Sequence, residues 1–321
     1  MELLNNELRI NQLENKRKDV EKALQNCIVR DSFLDDFEKR FCWSNNALEG
    51  NTLSLIETVN LLDYDEVQSG HTYSEYQEAK NVYAAIKNML IPMEQVRIDG
   101  DWIKKVNGYV MGTSGEYRNH DIYVGNLVEA VYYPPASDKV EELMKTFEKT
   151  VNIKEKNIDK LLLEIAQQHI VFERIHPFQD GNGRTGRILI NQQLINNGLP
   201  PISIKPTGKY RQAFRRYNNS GDLSQMVYIL AKSELESFDR ILQQESRYLL
   251  NRDGRNVEVK SKLRATEREI DLWLIFLNNL FVNFQIKYPI TAPSVFIIKS
   301  SISVFLRLNN WQSSMDNEKP K

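Results

Sequence analysis

Residues 173–190 read ERIHPFQDGNGRTGRILI, and this stretch decides how the rest of the chain is interpreted. An apolar segment of helical period precedes it over 157–174, and a second follows over 183–197. Pro177 ends the first predicted helix, and Gly198 ends the second. The sequence therefore predicts a tight, polar loop between two packed helices.

The rest of the chain is also mostly of helical period, which predicts an all-α fold. Further helices are predicted over 7–40, 54–64, 73–90 (capped by Ser74), 101–112, 137–151 and 209–250. One segment differs, because Tyr117, Ile122 and Val124 flank a polar Asn-His-Asp turn. That pattern predicts a small β-hairpin over 116–125. The expected architecture is a helical bundle that carries one hairpin.

Composition limits the classes of protein to which the chain could belong. Its 321 residues carry a net charge of −1, which argues against a surface devoted to nucleic acid. Two cysteines are too few for a disulfide framework, and no signal peptide is apparent at the N-terminus. The apolar runs near the C-terminus fall short of the roughly 18 residues of a membrane helix. We expect a cytoplasmic protein without a membrane partner.

The glycines of the loop indicate an anion site at the start of the second helix. Gly181, Asn182 and Gly183 allow backbone N–H groups to converge where the helix begins, and the helix dipole adds positive potential. Arg184 and Arg187 are three residues apart, so both can face one bound anion. Two guanidinium groups beside such a cradle suit a polyphosphate.

Two further residues of the loop suggest chemistry rather than binding alone. Asp180 would repel phosphates unless a cation lay between them, so its position implies Mg²⁺. His176 stands four residues earlier, where a neutral imidazole could take a proton from an incoming hydroxyl. Phe178 lies between them and is expected to point into the core.

Two common nucleotide motifs do not explain the loop. GNGRTG at 181–186 satisfies GxGxxG, but a helix and not a strand precedes it, which disfavours a Rossmann site. The chain also lacks the P-loop pattern. Each residue alone would be read as structural, and only their combination favours a phosphate site with a base and a metal ligand.

The stretch HPFQDGNGRTGR at 176–187 resembles the Fic family signature, His-x-Phe-x-(Asp/Glu)-Gly-Asn-Gly-Arg-x-x-Arg, at every specified position. The resemblance implies a Fic-type helical bundle with a hairpin flap that aligns a target segment. It implies transfer of AMP from ATP to a protein hydroxyl, with His176 as base and Asp180 holding Mg²⁺. The nucleotide-binding residues it implies are Gly181, Asn182, Gly183, Arg184, Thr185, Gly186, Arg187 and Tyr210. Tyr210 matches an aromatic residue that the family places near the adenosine.

Residues 44–51, SNNALEGN, resemble the family's inhibitory helix, (Ser/Thr)-x-x-x-Glu-(Gly/Asn), and are called the inhibitory segment below. Glu49 and Gly50 match, whereas Asn45 replaces the Ser or Thr. By this resemblance the Glu49 carboxylate would pair with Arg187 in place of the γ-phosphate. The replacement at Asn45 suggests a restraint held less firmly than in relatives. The competing interpretation is an ordinary helix end with a solvated glutamate.

The resemblance suggests three regions and one leading function. Residues 1–100 would form an N-terminal helical region with the inhibitory helix, 101–250 the catalytic core, and 251–321 an extension of uncertain role. The leading function is a protein adenylyltransferase that acts on a Ser, Thr or Tyr hydroxyl. The alternatives are removal of AMP or transfer of another phosphate group on the same fold, and a DNA-binding regulator or toxin–antitoxin component. The sequence identifies neither the target protein nor the oligomeric state, and a homo-oligomer stays open.

Overall fold

The computed structural model describes residues 6–90, 94–125 and 130–253, and within them the all-helical prediction is confirmed. The helices are α1 (Asn6–Leu24), α2 (Cys27–Ala47), α3 (Leu55–Tyr64), α4 (Tyr73–Met89), α5 (Gly100–Met111), α6 (Val140–Val151), α7 (Ile158–Ile175), α8 (Asn182–Asn196), α9 (Gly208–Ser220) and α10 (Ser224–Asp253). A 3₁₀ turn, Ser137–Lys139, leads into α6.

The chain divides into two compact units, Met1–Leu249 and Leu250–Lys321. The first unit contains the 176–187 loop and the inhibitory segment. The predicted extension from 255 onward lies outside the described residues, and the three-region division stays a prediction. None of the described helices is long and apolar enough to cross a membrane.

Local capping explains where α3 and α4 begin. Ser54 accepts from the Glu57 N–H while the Glu57 carboxylate accepts from the Ser54 N–H, which forms a capping box. Thr72 and Glu75 make the same pair at α4. The prediction that Ser74 caps α4 is therefore wrong, because the chain enters the helix two residues earlier.

The hairpin exists but lies later in the chain than predicted. Strand β1 (Val124–Gly125) pairs antiparallel with β2 (Ala130–Tyr132), so 116–125 is not the hairpin itself. The polar turn that suggested it is used differently: the Asp121 carboxylate accepts the Ser137 N–H at 2.7 Å. The segment that leads into β1 is thereby tied to the segment that follows β2.

Helix α8 lies at the centre of the first unit, and almost all of its residues are buried. Two of its buried polar side chains bond neighbouring backbone. Asn191 bonds both the N–H and the carbonyl of Ile202, and Gln193 donates to the Val151 carbonyl. Because buried polar groups need such partners, these bonds fix the position of α8 and of the loop at its N-terminus.

Candidate functional site

His176 ends α7 in a left-handed backbone conformation, with φ of +50°. Its N–H donates to the Phe172 carbonyl at 3.0 Å, and Pro177 prevents the helix from continuing. The ring Nδ1 lies 3.2 Å from the Glu173 carbonyl oxygen, which can only accept a hydrogen bond. Nδ1 therefore carries the hydrogen, and Nε2 keeps a free lone pair for accepting a proton.

The surroundings of His176 favour the neutral imidazole. Burial lowers its pKa below the usual 6.5, and the Arg118 guanidinium lowers it further. The Glu173 carbonyl, Glu49 and Asp180 oppose this shift without reversing it. At neutral pH the ring is thus unprotonated, as a general base requires.

The loop turns back at Gly181, where φ is +75°. A Cβ there would lie 2.6 Å from the Met111 sulfur, so both conformation and space require glycine. From α5, the Asn107 side chain donates to the Asp180 carbonyl at 3.0 Å and to the Thr185 hydroxyl at 3.2 Å. This one amide fixes the loop against α5, and nothing in the sequence identified it.

Asn182 closes the loop from inside. Its side-chain oxygen accepts from the Phe178 N–H and its amide donates to the Phe178 carbonyl, each at 2.9 Å. Phe178 is buried, as predicted, and its ring centroid lies 5.3 Å from that of Tyr117. The first intrahelical bond of α8 runs from the Thr185 N–H to the Gly181 carbonyl. The N–H groups before it are the orphan donors of a helix N-terminus, which suit an anion.

Arg187 is 2% exposed, and every nitrogen of its guanidinium has a partner. Nε donates to the Asn45 side-chain oxygen, and Nη2 donates to the Asn45 carbonyl at 3.0 Å and to Glu49 Oε1 at 2.6 Å. Nη1 donates to the Tyr210 hydroxyl at 3.2 Å. The cation is therefore aimed by α2 on one side and α9 on the other.

The Glu49 carboxylate lies at the N-terminus of α8. Burial opposes its ionisation, but the Arg187 charge outweighs this effect and holds its pKa below the usual value, with help from Arg184 and Arg211. A Cβ on Gly183 would lie 2.3 Å from Glu49 Oε1, so glycine is needed for this approach. Arg211 also donates to the Leu48 carbonyl at 3.3 Å. An anion thus already sits against the cradle predicted for a phosphate.

This geometry can be compared with known proteins. A model of the Fic/DOC family matches residues 97–194, which contain the whole 176–187 loop. Residues 97–194 therefore form a Fic domain. Glu49 and Tyr210 lie outside the matched region of the Fic domain.

A curated relative of this chain is the protein adenylyltransferase Fic of Aedes aegypti. The two are 30% identical over 204 residues, which cover 61% of this chain and 40% of that protein. The chain therefore spans less than half the length of that relative.

Solved Fic structures share the fold. A Fic domain containing signaling protein from Bacteroides thetaiotaomicron superposes with a TM-score of 0.63 at 22% identity, covering 78% of this chain and 98% of that one. Fic-1 from C. elegans gives a TM-score of 0.58 at 24% identity, covering 74% of this chain and 72% of that one. At these identities the likeness establishes the Fic fold and no more.

Within the Fic loop, the predicted residues fall into two groups. Gly183 and Arg187 meet Glu49 from outside the loop at the N-terminus of α8, and the charges of Glu49 and Asp180 act on His176. Thr185 faces the core instead, where its hydroxyl meets Asn107. A Cβ on Gly186 would collide with Glu173 and His169, so this glycine serves close packing.

Arg184 is 6% exposed and lies at the rim of the site. Its nitrogens are 3.7 Å from Asp180 and 3.8 Å from Glu78, and one approaches the Met111 sulfur at 3.4 Å. These ion pairs are long, which leaves the charge of Arg184 less fully neutralised than that of Arg187.

Tyr210 has a setting that the sequence did not predict. Its hydroxyl bonds Arg187 and also lies 2.6 Å from His169 Nε2, and the residue is only 6% exposed. Burial, with the added repulsion of the Arg187 charge, lowers the pKa of His169 to about 3, so this histidine is neutral. Tyr210 therefore contacts a phosphate-site cation, whereas its predicted place near the adenosine stays a prediction.

Asp180 fits the metal role predicted for it. Its side chain is 69% exposed beside the α8 N-terminus, where Oδ1 accepts the Gly181 N–H at 2.6 Å and the second oxygen is available. Among the described residues no group of three acidic, His or Cys side chains could hold a metal alone. One carboxylate completed by phosphate oxygens and water is the coordination that Mg²⁺ prefers in nucleotide sites.

Proposed function

We propose that this Fic domain is a protein adenylyltransferase, which moves AMP from ATP to a Ser, Thr or Tyr hydroxyl of a target protein. The observation that carries the proposal is the position of His176. A neutral imidazole with a free Nε2 stands at one end of a loop whose other end offers helix N–H groups and Arg187. Base and phosphate cradle are thus held in one rigid turn.

In the proposed reaction, His176 Nε2 takes the proton of the target hydroxyl as its oxygen attacks the α-phosphorus of ATP. The bond from the α-phosphorus to the bridging oxygen breaks, and diphosphate leaves with the electron pair. Negative charge grows on the leaving group, where Arg184, Arg187 and the N–H groups of α8 would stabilise it. No covalent intermediate with the enzyme is needed.

Mg²⁺ would be held by Asp180 and phosphate oxygens, and when bound it would neutralise charge on the polyphosphate. The protein's own part is to present the Asp180 carboxylate at the mouth of the loop. The Gly181 N–H donates to one of its oxygens, which orients the carboxylate without burying it.

We also infer that Glu49 restrains the enzyme. Its carboxylate is 2.6 Å from Arg187 and would compete with the γ-phosphate for that cation. ATP would still bind through the remaining contacts, but with the α-phosphorus poorly aligned to the attacking hydroxyl. The restraint would therefore act on turnover more than on affinity.

The hairpin supports a mode of target binding that depends little on the side chains of the target. β1 and β2 form a two-stranded sheet next to His176, since Tyr132 donates to the Arg174 carbonyl at 2.7 Å. An extended target segment could add to an edge of this sheet through main-chain bonds. The identity of the target therefore stays open.

Glu49 also favours a second function on the same site, removal of AMP from a modified protein. Its lowered pKa keeps it ionised, and an ionised carboxylate inside the site could orient water toward the phosphorus. The cytoplasmic location stays a prediction. The DNA-binding alternative depends on the tail beyond 255, which lies outside the described residues.

Incubation of Glu49→Gly protein with α-labelled ATP, Mg²⁺ and cell lysate tests the proposal. Label should enter protein, should require His176, and should disappear with excess chelator. γ-Labelled ATP should give no labelled protein, because its label leaves in diphosphate. Protein labelled from γ-labelled ATP alone would replace adenylyl transfer with phosphorylation, and no label from either would refute both.

A further inference from the structure

Arg118 is buried at the junction between the hairpin and the Fic loop. It lies between α5 and β1, and its side chain is 0% exposed. Nε donates to the His176 carbonyl at 2.9 Å, Nη1 donates to the His120 carbonyl at 3.1 Å, and Nη2 donates to the Pro135 carbonyl. One guanidinium therefore joins the segment before β1, the segment after β2 and the predicted base.

The backbone of Arg118 adds a fourth bond to the same region. Its N–H donates to the Pro177 carbonyl at 2.9 Å. The peptide groups on both sides of Pro177 are thus held by one residue of another element. Because His176 is in a left-handed conformation that few residues adopt freely, such bonds are what keep its ring in place.

The positive charge of Arg118 is not neutralised by a close ion pair. Among the described residues, one carboxylate reaches 4.0 Å from it, that of Asp121, which is 74% exposed and accepts from the Ser137 N–H. The guanidinium otherwise faces neutral carbonyls. A buried cation with so little compensation acts strongly on neighbouring titratable groups.

We propose that Arg118 is a positioning residue, which fixes the His176 backbone to the hairpin so that base and target segment share one rigid frame. This inference rests on the proposed function in one respect: the purpose of the frame, to hold base and target segment together, depends on AMP transfer. Arginine suits the role because three carbonyls in different directions need a planar fork of donors. Lysine would keep the charge but could not span the three segments.

Several charged groups face His176, and their effects can be separated. Arg118 reaches it from the hairpin segment, Glu49 from the end of α2 and Asp180 from within the loop. Glu173 contributes its carbonyl, while burial raises the pKa of its carboxyl to about 8 and so keeps it neutral at pH 7. Loss of the Arg118 charge alone should therefore raise the pKa of His176.

Two substitutions separate the charge of Arg118 from its hydrogen bonds. Arg118→Gln removes the cation, whereas Arg118→Lys keeps it and loses the fork. The His176 ring is followed by NMR titration of histidine-labelled protein without nucleotide, and His176→Gln assigns its signal among the four histidines. The pKa of His176 should rise in Arg118→Gln and stay near wild type in Arg118→Lys.

Kinetics of AMP transfer test the frame itself. In the Glu49→Gly background, both variants should lower the rate of self-modification by about 10- to 100-fold, as misplacement near 1 Å does. Lys104→Gln is the matched control, because Lys104 bonds Glu116 at 3.1 Å over the Tyr117 ring and touches no loop residue. It should leave the titration and the rate unchanged.

The outcomes distinguish this inference from the proposed function. A His176 titration that is identical in wild type and folded Arg118→Gln would overturn the electrostatic part. An unchanged rate of self-modification when Arg118→Lys is added to folded Glu49→Gly protein would overturn the frame, and this test holds even if the Gln variant does not fold. If Glu49→Gly protein with Arg118 intact transfers no AMP while the titration still shifts, the proposed function fails and the Arg118–His176 coupling stands.

Discussion

The 176–187 loop is held by buried bonds on every side, whereas Glu49, the end of the inhibitory segment, keeps 41% of its surface exposed. The loop is fixed by Asn107, Arg118 and the Asn182 side chain, each from a different element or direction. Glu49 reaches Arg187 by one carboxylate oxygen. The difference supports the proposal of a fixed frame around the loop and of a restraint that can leave without disturbing this frame.

Among substitutions in the frame, loss of the base should have the largest effect on AMP transfer. His176→Ala should lower AMP transfer by about 10²- to 10⁴-fold, the usual contribution of a general base, while ATP binding stays near wild type. Rates with α-labelled ATP and a nucleotide-binding titration measure the two quantities. His120→Ala is the matched control, because that histidine is exposed beside the hairpin. Near-wild-type transfer by His176→Ala would contradict the assignment.

The pH dependence follows from the lowered pKa of His176. The neutral ring is the reactive form, so protonation stops catalysis only when the pH falls through its folded-state pKa, below 6.5. The acid limb of kcat/KM for Glu49→Gly protein should accordingly lie below that value. A limb centred above 6.5 would show that the charges around the ring, or the base itself, have been misidentified.

Asn45 sharpens the comparison, because it belongs to the inhibitory segment but is built like the frame. It is fully buried, and it binds Arg187 through both its side chain and its carbonyl, while its amide donates to the Arg184 carbonyl at 3.3 Å. In the Glu49→Gly background, Asn45→Ala should weaken ATP binding about 10-fold, the usual loss for a hydrogen bond to a charged group.

Asn45→Ala is thus expected to impair the site by weakening ATP binding, whereas Glu49→Gly is expected to raise AMP transfer, although the two residues are only four positions apart. Ser44→Ala is a suitable control, since that hydroxyl bonds Ser203 and not the loop. If Asn45→Ala alone raised AMP transfer as Glu49→Gly should, Asn45 would be part of the restraint and the division drawn here would be wrong.

Substitution of Tyr210 should have the smallest effect, a modest loss of ATP binding. Tyr210→Phe removes the hydroxyl that accepts from Arg187 and meets His169, and should weaken ATP binding about threefold, the value of a modest hydrogen bond. Tyr217→Phe on the same helix should leave binding unchanged. Equal binding in wild type and Tyr210→Phe, with a loss only in Tyr210→Ala, would favour the ring contact with adenosine that the sequence suggested.

The Fic loop could be predicted from the sequence because its chemistry is contiguous. His176 at the end of α7, Asp180 in the turn and Arg187 near the start of α8 are close in the sequence, so local spacing alone brings them together. The helices themselves were predicted from the helical period of the apolar residues and from capping residues. The cap at Thr72 was missed because Ser74 offered an equally good local signal, and only the path of the chain into α4 distinguishes them.

What the sequence did not predict depends on contacts across the fold. Arg118 and Asn107 are ordinary polar residues in their own segments, and their roles appear only when α5 and the hairpin pack against the loop. The weaker restraint expected from Asn45 stays a prediction, although the structure gives this side chain more contacts than the sequence suggested. An amide can accept from Arg187 and donate to Arg184 at once, which gives it two side-chain bonds to the loop.

The central claim is that Glu49 is a removable restraint on a complete transfer site. Intact-mass measurement of the protein after incubation with ATP and Mg²⁺ tests it most directly, because self-modification needs no knowledge of the target. Glu49→Gly should gain the mass of an adenylyl group much faster than wild type, and Glu49→Gly with His176→Ala should gain none. Equal rates for wild type and Glu49→Gly, on itself and on lysate proteins, would contradict the restraint and leave Glu49 as an ordinary helix end.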